Sequence, residues 1–169
     1  LPVDYNTDEI GVSMDYAGED WQMDLSLKSS SFDNRQYAIE WQNPFEDITS
    51  PTSFGRLGAD SPDNEFQQIS AVVGYQLNPT TRISGRLSSA RLTQDEIYLA
   101  PTINDSLGSI SLPVSNLDGQ VDTSLASLQL VTRPLPALRL DASLSDSQRD
   151  NKTPINTYSI VTTDQVVSG

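Results

Sequence analysis

The sequence predicts an all-β chain: an antiparallel up-and-down sheet of about eight strands, forming part of the wall of a larger transmembrane β-barrel. Three observations predict this. Apolar and polar residues alternate along most of the chain, as in Trp21-Gln22-Met23-Asp24-Leu25-Ser26-Leu27-Lys28. A period of two puts Trp21, Met23, Leu25 and Leu27 on one face and Gln22, Asp24, Ser26 and Lys28 on the other. The apolar fraction is 36%, against roughly 45–50% in ordinary globular chains, so a compact domain of 169 residues would have too little to bury. No stretch approaches the ~20 apolar residues of a membrane-spanning helix, whereas a barrel strand needs only ~9–11 residues, every second one polar.

Eight strands are read in order. The first covers 6–16, with Ile10, Val12, Met14 and Tyr16 aligned, and Ala17-Gly18-Glu19-Asp20 reverses it. The second is 21–29, and the third is 35–42, with Tyr37, Ile39 and Trp41 in phase. After a long connection, 43–65, the fourth covers 66–77 with Ile69, Ala71, Val73, Tyr75 and Leu77 on one side. Asn78-Pro79-Thr80-Thr81 is a tight reversal, because Asn and Pro favour turn dihedrals. The fifth strand, 82–92, groups Ile83, Gly85 and Leu87. A second long connection, 93–118, is rich in Asn, Asp, Ser, Pro and Gly and aperiodic. The sixth, 120–132, aligns Ala126, Leu128 and Leu130 but leaves Val121 and Leu125 out of phase, which points to a bulge. Arg133-Pro134-Leu135-Pro136 reverses the chain into the seventh, 137–147, with Leu138, Leu140, Ala142 and Leu144 aligned. The eighth is 156–166. In an up-and-down sheet successive connections emerge at opposite ends, so long and short ones should segregate to two rims as in transmembrane barrels. The short first turn breaks that pattern under an eight-strand count.

Composition excludes several chemistries. With no Cys and no His, the chain has no disulfide, no Cys-x-x-Cys-His haem attachment, no usual haem or zinc ligand and no Ser-His-Asp triad. It is read as a non-enzyme that itself binds no cofactor. A net charge of −13 argues against nucleic acid. Much of the acid lies between strands, at Glu46, Asp47, Asp60, Asp63, Glu65, Asp95, Glu96, Asp105 and Asp118, where loops could hold divalent cations such as Ca2+. Asp146 and Asp150 with Asn151 resemble a loose calcium constellation, yet they lack the close alternate spacing and the Gly turn, and solvated acids explain them better.

The lipid-facing set is Met23, Leu25, Ile39, Val73, Leu87 and Leu140, and the lumen-facing charges are Asp24, Lys28, Glu40, Arg82, Arg86, Arg139 and Asp141. Tyr16 with Trp21, and Trp41 with Phe45, sit at strand ends where interfacial aromatics belong. A narrow barrel would have to pair every interior charge, so these fit a wider lumen facing water or another protein. Eight strands with open edges, ending in Val166-Val167-Ser168-Gly169 without a terminal aromatic, read as an internal section of one longer wall spanning 1–169. The rival reading is a secreted acidic β-sandwich, an adhesin-like binding module whose apolar faces pack on each other.

Several segments resemble the MtrB/PioB family of outer-membrane β-barrel porins. They are Tyr16-Ala17-Gly18-Glu19-Asp20-Trp21, Phe32-Asp33-Asn34, Trp41-Gln42-Asn43-Pro44-Phe45, Pro62-Asp63-Asn64-Glu65-Phe66 and Gly74-Tyr75-Gln76-Leu77. Further matches are Thr93-Gln94-Asp95, Leu117-Asp118-Gly119-Gln120-Val121-Asp122-Thr123, Arg133-Pro134-Leu135-Pro136 and Arg149-Asp150-Asn151-Lys152-Thr153-Pro154, in an order that covers nearly the whole chain. The resemblance implies residence in the outer membrane of a Gram-negative bacterium. It also implies a wide barrel that sheathes a periplasmic decahaem c-type cytochrome and passes electrons to or from an extracellular multihaem cytochrome, in extracellular respiration or metal reduction. Haem c would belong to those partners. On this reading Arg82 and Arg86 could meet haem propionates or acidic groups of an enclosed cytochrome, although ordinary lumen solvation or pairing with Asp24, Glu40 or Asp141 explains them better. Family barrels are several times longer than this chain, and many carry an N-terminal Cys pair that is missing here.

Overall fold

The computed structural model describes residues 3–50, 53–58, 61–162 and 165–168. Its main body is one six-stranded antiparallel sheet. The elements in chain order are β1 (Tyr5–Ala17), β2 (Trp21–Asn34), β3 (Ala38–Gln42), β4 (Phe54–Gly58), β5 (Asn64–Asn78), β6 (Thr81–Gln94), a 3-10 turn (Asp105–Leu107), β7 (Gly119–Leu135), β8 (Leu138–Asn151), β9 (Ser159–Thr162) and β10 (Gln165–Ser168). The sheet order is β1-β2-β5-β6-β7-β8, every pair antiparallel; β3–β4 and β9–β10 are separate two-stranded ribbons.

The period-two stretches therefore became the wall, and the two weaker ones did not. Expected strand three, 35–42, shortens to β3 and pairs with β4, a strand inside the connection 43–65 that was expected to be irregular. Five residues cannot cross a bilayer that asks ~9–11 of a strand. Gly55 and Gly58 lower β propensity in β4 and hid it, yet Gly55 is required, since a Cβ there would lie 2.6 Å from the Trp41 ring. Expected strand eight, 156–166, resolves into β9 and β10, with 163–164 outside the described residues. The sheet thus has six wall strands instead of eight.

That correction removes the parity problem. The connections 18–20, 79–80 and 136–137 are short and share one rim, while 35–63 and 95–118 are long and share the other. Gly18 N–H closes the first turn onto the Trp21 carbonyl at 2.8 Å. In the second, the Asn78 side chain accepts from Thr80 N–H and hydroxyl at 3.0 and 2.9 Å, the Asx geometry that the Asn-Pro pair suggested. The expected bulge near Val121 is not there: β7 pairs with β6 from Gly119 to Thr132 without interruption, and its register shift against β8 lies at Thr132/Leu135, around Pro134. Val121 and Leu125 simply point to the other face.

All backbone groups of a central strand are committed to neighbours on both sides, so proline is not tolerated there. Ser88→Pro in β6 should abolish the heat-modifiable gel mobility of the folded full-length barrel, whereas Phe45→Pro, in the loop, should leave it unchanged.

Candidate functional site

The two faces of the sheet are the functional surfaces, and register decides what each displays. Directly paired residues share a face, so one row runs Tyr16, Met23, Val73, Gly85, Leu128, Leu144 and the next runs Met14, Leu25, Ala71, Leu87, Ala126, Asp146. The opposite face carries Asp15, Asp24, Val72, Arg86, Ser127, Ser145 and then Ser13, Ser26, Ser70, Ser88, Leu125, Ser147. Among the described residues, Ala90 is the one buried hydrophobic, and no second layer covers the apolar face: Ile69, Leu87 and Leu144 are 54, 62 and 73% exposed. On β5 the polar-face residues are the more covered ones and the apolar residues the more open. A soluble sandwich has the reverse arrangement, so the sandwich reading fails on this geometry.

The apolar band ends obliquely. Its last outward residues toward the long-connection rim are Ile10, Leu27, Ile69, Leu87, Ala126 and Leu144 on successive strands, and by register this edge slips two residues three times across the sheet. Six residues of rise, roughly 20 Å, over five interstrand spacings, roughly 24 Å, give a slope of about 40°. That is the strand tilt of closed barrels, ~35–45°. On β5 the band runs from Ile69 to Leu77, roughly 27 Å of strand and about 21 Å along the normal at that tilt, near the ~25 Å apolar belt of transmembrane barrels. Tyr16, Trp21 and Tyr75 cluster on the apolar face at the short-turn end, with the Tyr16 and Trp21 rings 4.7 Å apart. Wall strands of 13 to 17 residues exceed the need. The surplus lies toward the long connections, where the apolar face turns polar at Ser29, Gln67, Arg91, Asp122 and Asp150. There Asp122 holds Arg91 Nε and Lys152 Nζ at 2.8 Å each and raises the Lys152 ammonium above its ordinary value.

The structure places the expected site residues as follows. Met23, Leu25, Val73, Leu87 and Leu140 share the apolar face, and Asp24, Lys28, Arg82, Arg86, Arg139 and Asp141 share the polar one. Ile39 and Glu40 lie on the β3–β4 ribbon, off the wall, with Glu40 3.9 Å from Arg56; Trp41 and Phe45 likewise belong to that loop and not to a wall-strand end. Arg82 donates to Gln22 Oε1 at 3.0 Å, passing over Gly74, where a Cβ would come within 2.6 Å of its guanidinium. Arg139 holds Asp141 at 2.8 Å and Lys28 holds Glu9 at 2.8 Å. Arg86 shares a row with Asp24 and Asp15, with β5 between them. Asp146 and Asp150 lie on β8 rather than on a loop, and among the described residues no three carboxylates converge as a metal site requires. One feature of the polar face is announced in the sequence only at Val121. Near the long-connection end, Phe66, Leu92 and Val121 are cross-strand neighbours on it; their signal was the phase break that a bulge seemed to explain.

The polar face is chemically plain. Among its described residues there is no nucleophile–base pair; Ser is its commonest residue, beside Gln and a set of Asp and Arg, with Ser26 and Ser70 hydroxyls 2.7 Å apart and Gln68 donating to Ser88 at 3.0 Å. Such a surface can hydrate or contact a large body closely without reacting with it.

Comparison with known proteins agrees with this geometry. The family model described as outer membrane beta-barrel porin, MtrB/PioB, matches residues 1–169. "Outer membrane protein MtrB" of Shewanella baltica (strain OS185) is 28% identical over 165 residues, covering 98% of this chain and 23% of that protein, so the chain spans about a quarter of its relative's length.

An arginine at the middle of a lipid-facing strand costs about 2–4 kcal/mol. Val73→Arg, at the middle of the Ile69–Leu77 band, should therefore lower the folded fraction of the full-length barrel in a urea titration, while Ile39→Arg should leave the midpoint unchanged; equal effects would contradict the assignment of faces.

Proposed function

We propose a function for a chain that belongs to the MtrB/PioB family of outer-membrane β-barrel porins: it supplies a section of wall for a wide barrel that embeds and insulates a multihaem c-type cytochrome, carrying electrons across the outer membrane. The observation that supports this most is the inverted polarity of the sheet. Its greasy face is open to the surroundings and on β5 its polar face is the more covered one, which fits lipid against the first and a lumen against the second.

The physical need is simple. A hydrocarbon layer ~30 Å thick is too wide for one electron hop, so a chain of haems must be threaded through it and kept from lipid and water. Having no His and no Cys, this chain fits the role of sheath and offers neither the His ligand nor the Cys attachment of a c-type haem. Haem c would reside in a periplasmic decahaem cytochrome enclosed by the barrel, with an extracellular multihaem cytochrome as the next carrier, in extracellular respiration or metal reduction. The serine row from Ser13 through Ser26, Ser70 and Ser88 to Ser147 lets a bulky guest approach the backbone closely, and Arg82, Arg86 and Lys28 offer cations to its propionates or acidic groups. The short-turn rim, with its aromatic cluster, faces the periplasm, and the long connections face outward, as in other transmembrane barrels. No catalysis is assigned to the chain.

The test is recovery of the full-length protein from outer membranes with a haem-staining partner. Recovery as a haem-free species would refute the sheath role. Ser70→Trp with Ser88→Trp, placed on the lumen face, should cut the co-purified haem about tenfold or more by filling the space a guest would occupy, while heat-modifiable mobility stays intact.

A further inference from the structure

The long connections and the segment after β8 leave one end of the sheet on successive strands, and they meet. The first is rooted at Asn34, 7% exposed, whose N–H donates to Asp63 Oδ1 at 2.7 Å and whose side-chain amide donates to the Ser61 carbonyl at 2.9 Å. Its β3–β4 ribbon reaches the second connection: Arg56 Nη2 donates to the Ala100 carbonyl at 2.8 Å, and Leu99 lies 3.6 Å from where a Gly58 Cβ would sit. The segment 96–100 is braced by its own return limb, with Ile97 bridged to Asn116 and Tyr98 N–H donating to the Ser115 carbonyl at 2.9 Å. Beyond β8, Lys152 N–H donates to the Gln120 carbonyl at 2.8 Å and Gln120 N–H donates to Thr153 Oγ1 at 3.1 Å, turning the chain back across the end of β7. The Tyr158 hydroxyl then donates to that of Tyr98 at 3.1 Å, with the rings edge-to-face at 5.5 Å.

These connections are rooted on β2 and β5, on β6 and β7, and on β8, which follow one another along the sheet, so each has only to reach its neighbour for all three to join at one segment. The two long connections close on the polar-face side of the strand ends: a cavity of about 270 Å3 is lined by Asn34 and Gln94, the last polar-face residues of β2 and β6, together with Tyr37, Gly58, Tyr98 and Leu99.

We infer that 96–100 is the keystone of a lid: the three connections fold inward over this end of the barrel and are held as one unit, so that releasing one latch loosens the others. This needs only the barrel reading and holds whatever the lumen contains.

The test uses the full-length protein in liposomes. Tyr158→Ala should raise proteolytic cleavage within 43–50, in a different connection, about fivefold, and should speed entry of a membrane-impermeant oligosaccharide. Arg56→Ala, on the other latch, should likewise raise cleavage within 109–115 of the second connection and speed entry, while Tyr158→Phe, which keeps the ring contact, should retain most of the protection. Loosening confined to residues near 98 and 158 would overturn the shared keystone, and cleavage without faster entry would overturn the lid. Heat-modifiable mobility confirms that each variant is folded. Loss of co-purified haem, the readout of the sheath role, is scored separately and bears on neither outcome.

Discussion

Inside a bilayer no water is present to take up a peptide N–H or C=O, so each must find its partner on a neighbouring strand. The rest of this structure depends on that constraint. Uninterrupted ladders such as Tyr5–Ala17 against Trp21–Asn34 and Thr81–Gln94 against Gly119–Thr132 satisfy it across the whole apolar band. Once the backbone is committed in this way, side chains alone decide what each face touches. β1 and β8 pair on one side only, and open edges are not viable in lipid, so further strands must complete the ring. A chain that spans 23% of its relative's length leaves ample sequence for them.

The tilt and the two rims follow from the same ladders. Because each pair is fixed in register, the slipping edge of the band from Ile10 to Leu144 measures how the strands lean, with no reference to a membrane. Beyond that edge the rules change. The outward face becomes charged, with Asp122 between Arg91 and Lys152, and the inward face gains Phe66, Leu92 and Val121. The sheet thus exchanges polarity along its length: the face that is apolar over most of the strands turns charged at this end, and the polar face gains apolar residues.

Most of the wall was legible because alternation in the membrane is imposed on every strand. Met23-Asp24-Leu25-Ser26 and Leu138-Arg139-Leu140-Asp141 state their two faces directly. The failures have physical causes. Tyr37, Ile39 and Trp41 alternate as a wall strand does, but over too few residues, and the partner that claims them, Phe54–Gly58, is masked by glycine. Val121 and Leu125 looked like a register fault because apolar residues were expected on one side only. The lid contacts between Tyr98 and Tyr158 or Arg56 and Ala100 join positions more than forty residues apart through single hydrogen bonds, and no local pattern announces them.

The assignment of one face to lipid and the other to an enclosed, polar space can be read residue by residue. Spin labels introduced singly at positions 85 to 90 of the full-length protein in a lipid bilayer would report collision with oxygen, which concentrates in hydrocarbon, and with a water-soluble nickel complex. Oxygen contact should peak at 85 and 87 and fall at 86 and 88, with the contrast fading at 89 and 90 where the band ends. A uniform response along the strand, or peaks at the even positions, would contradict it.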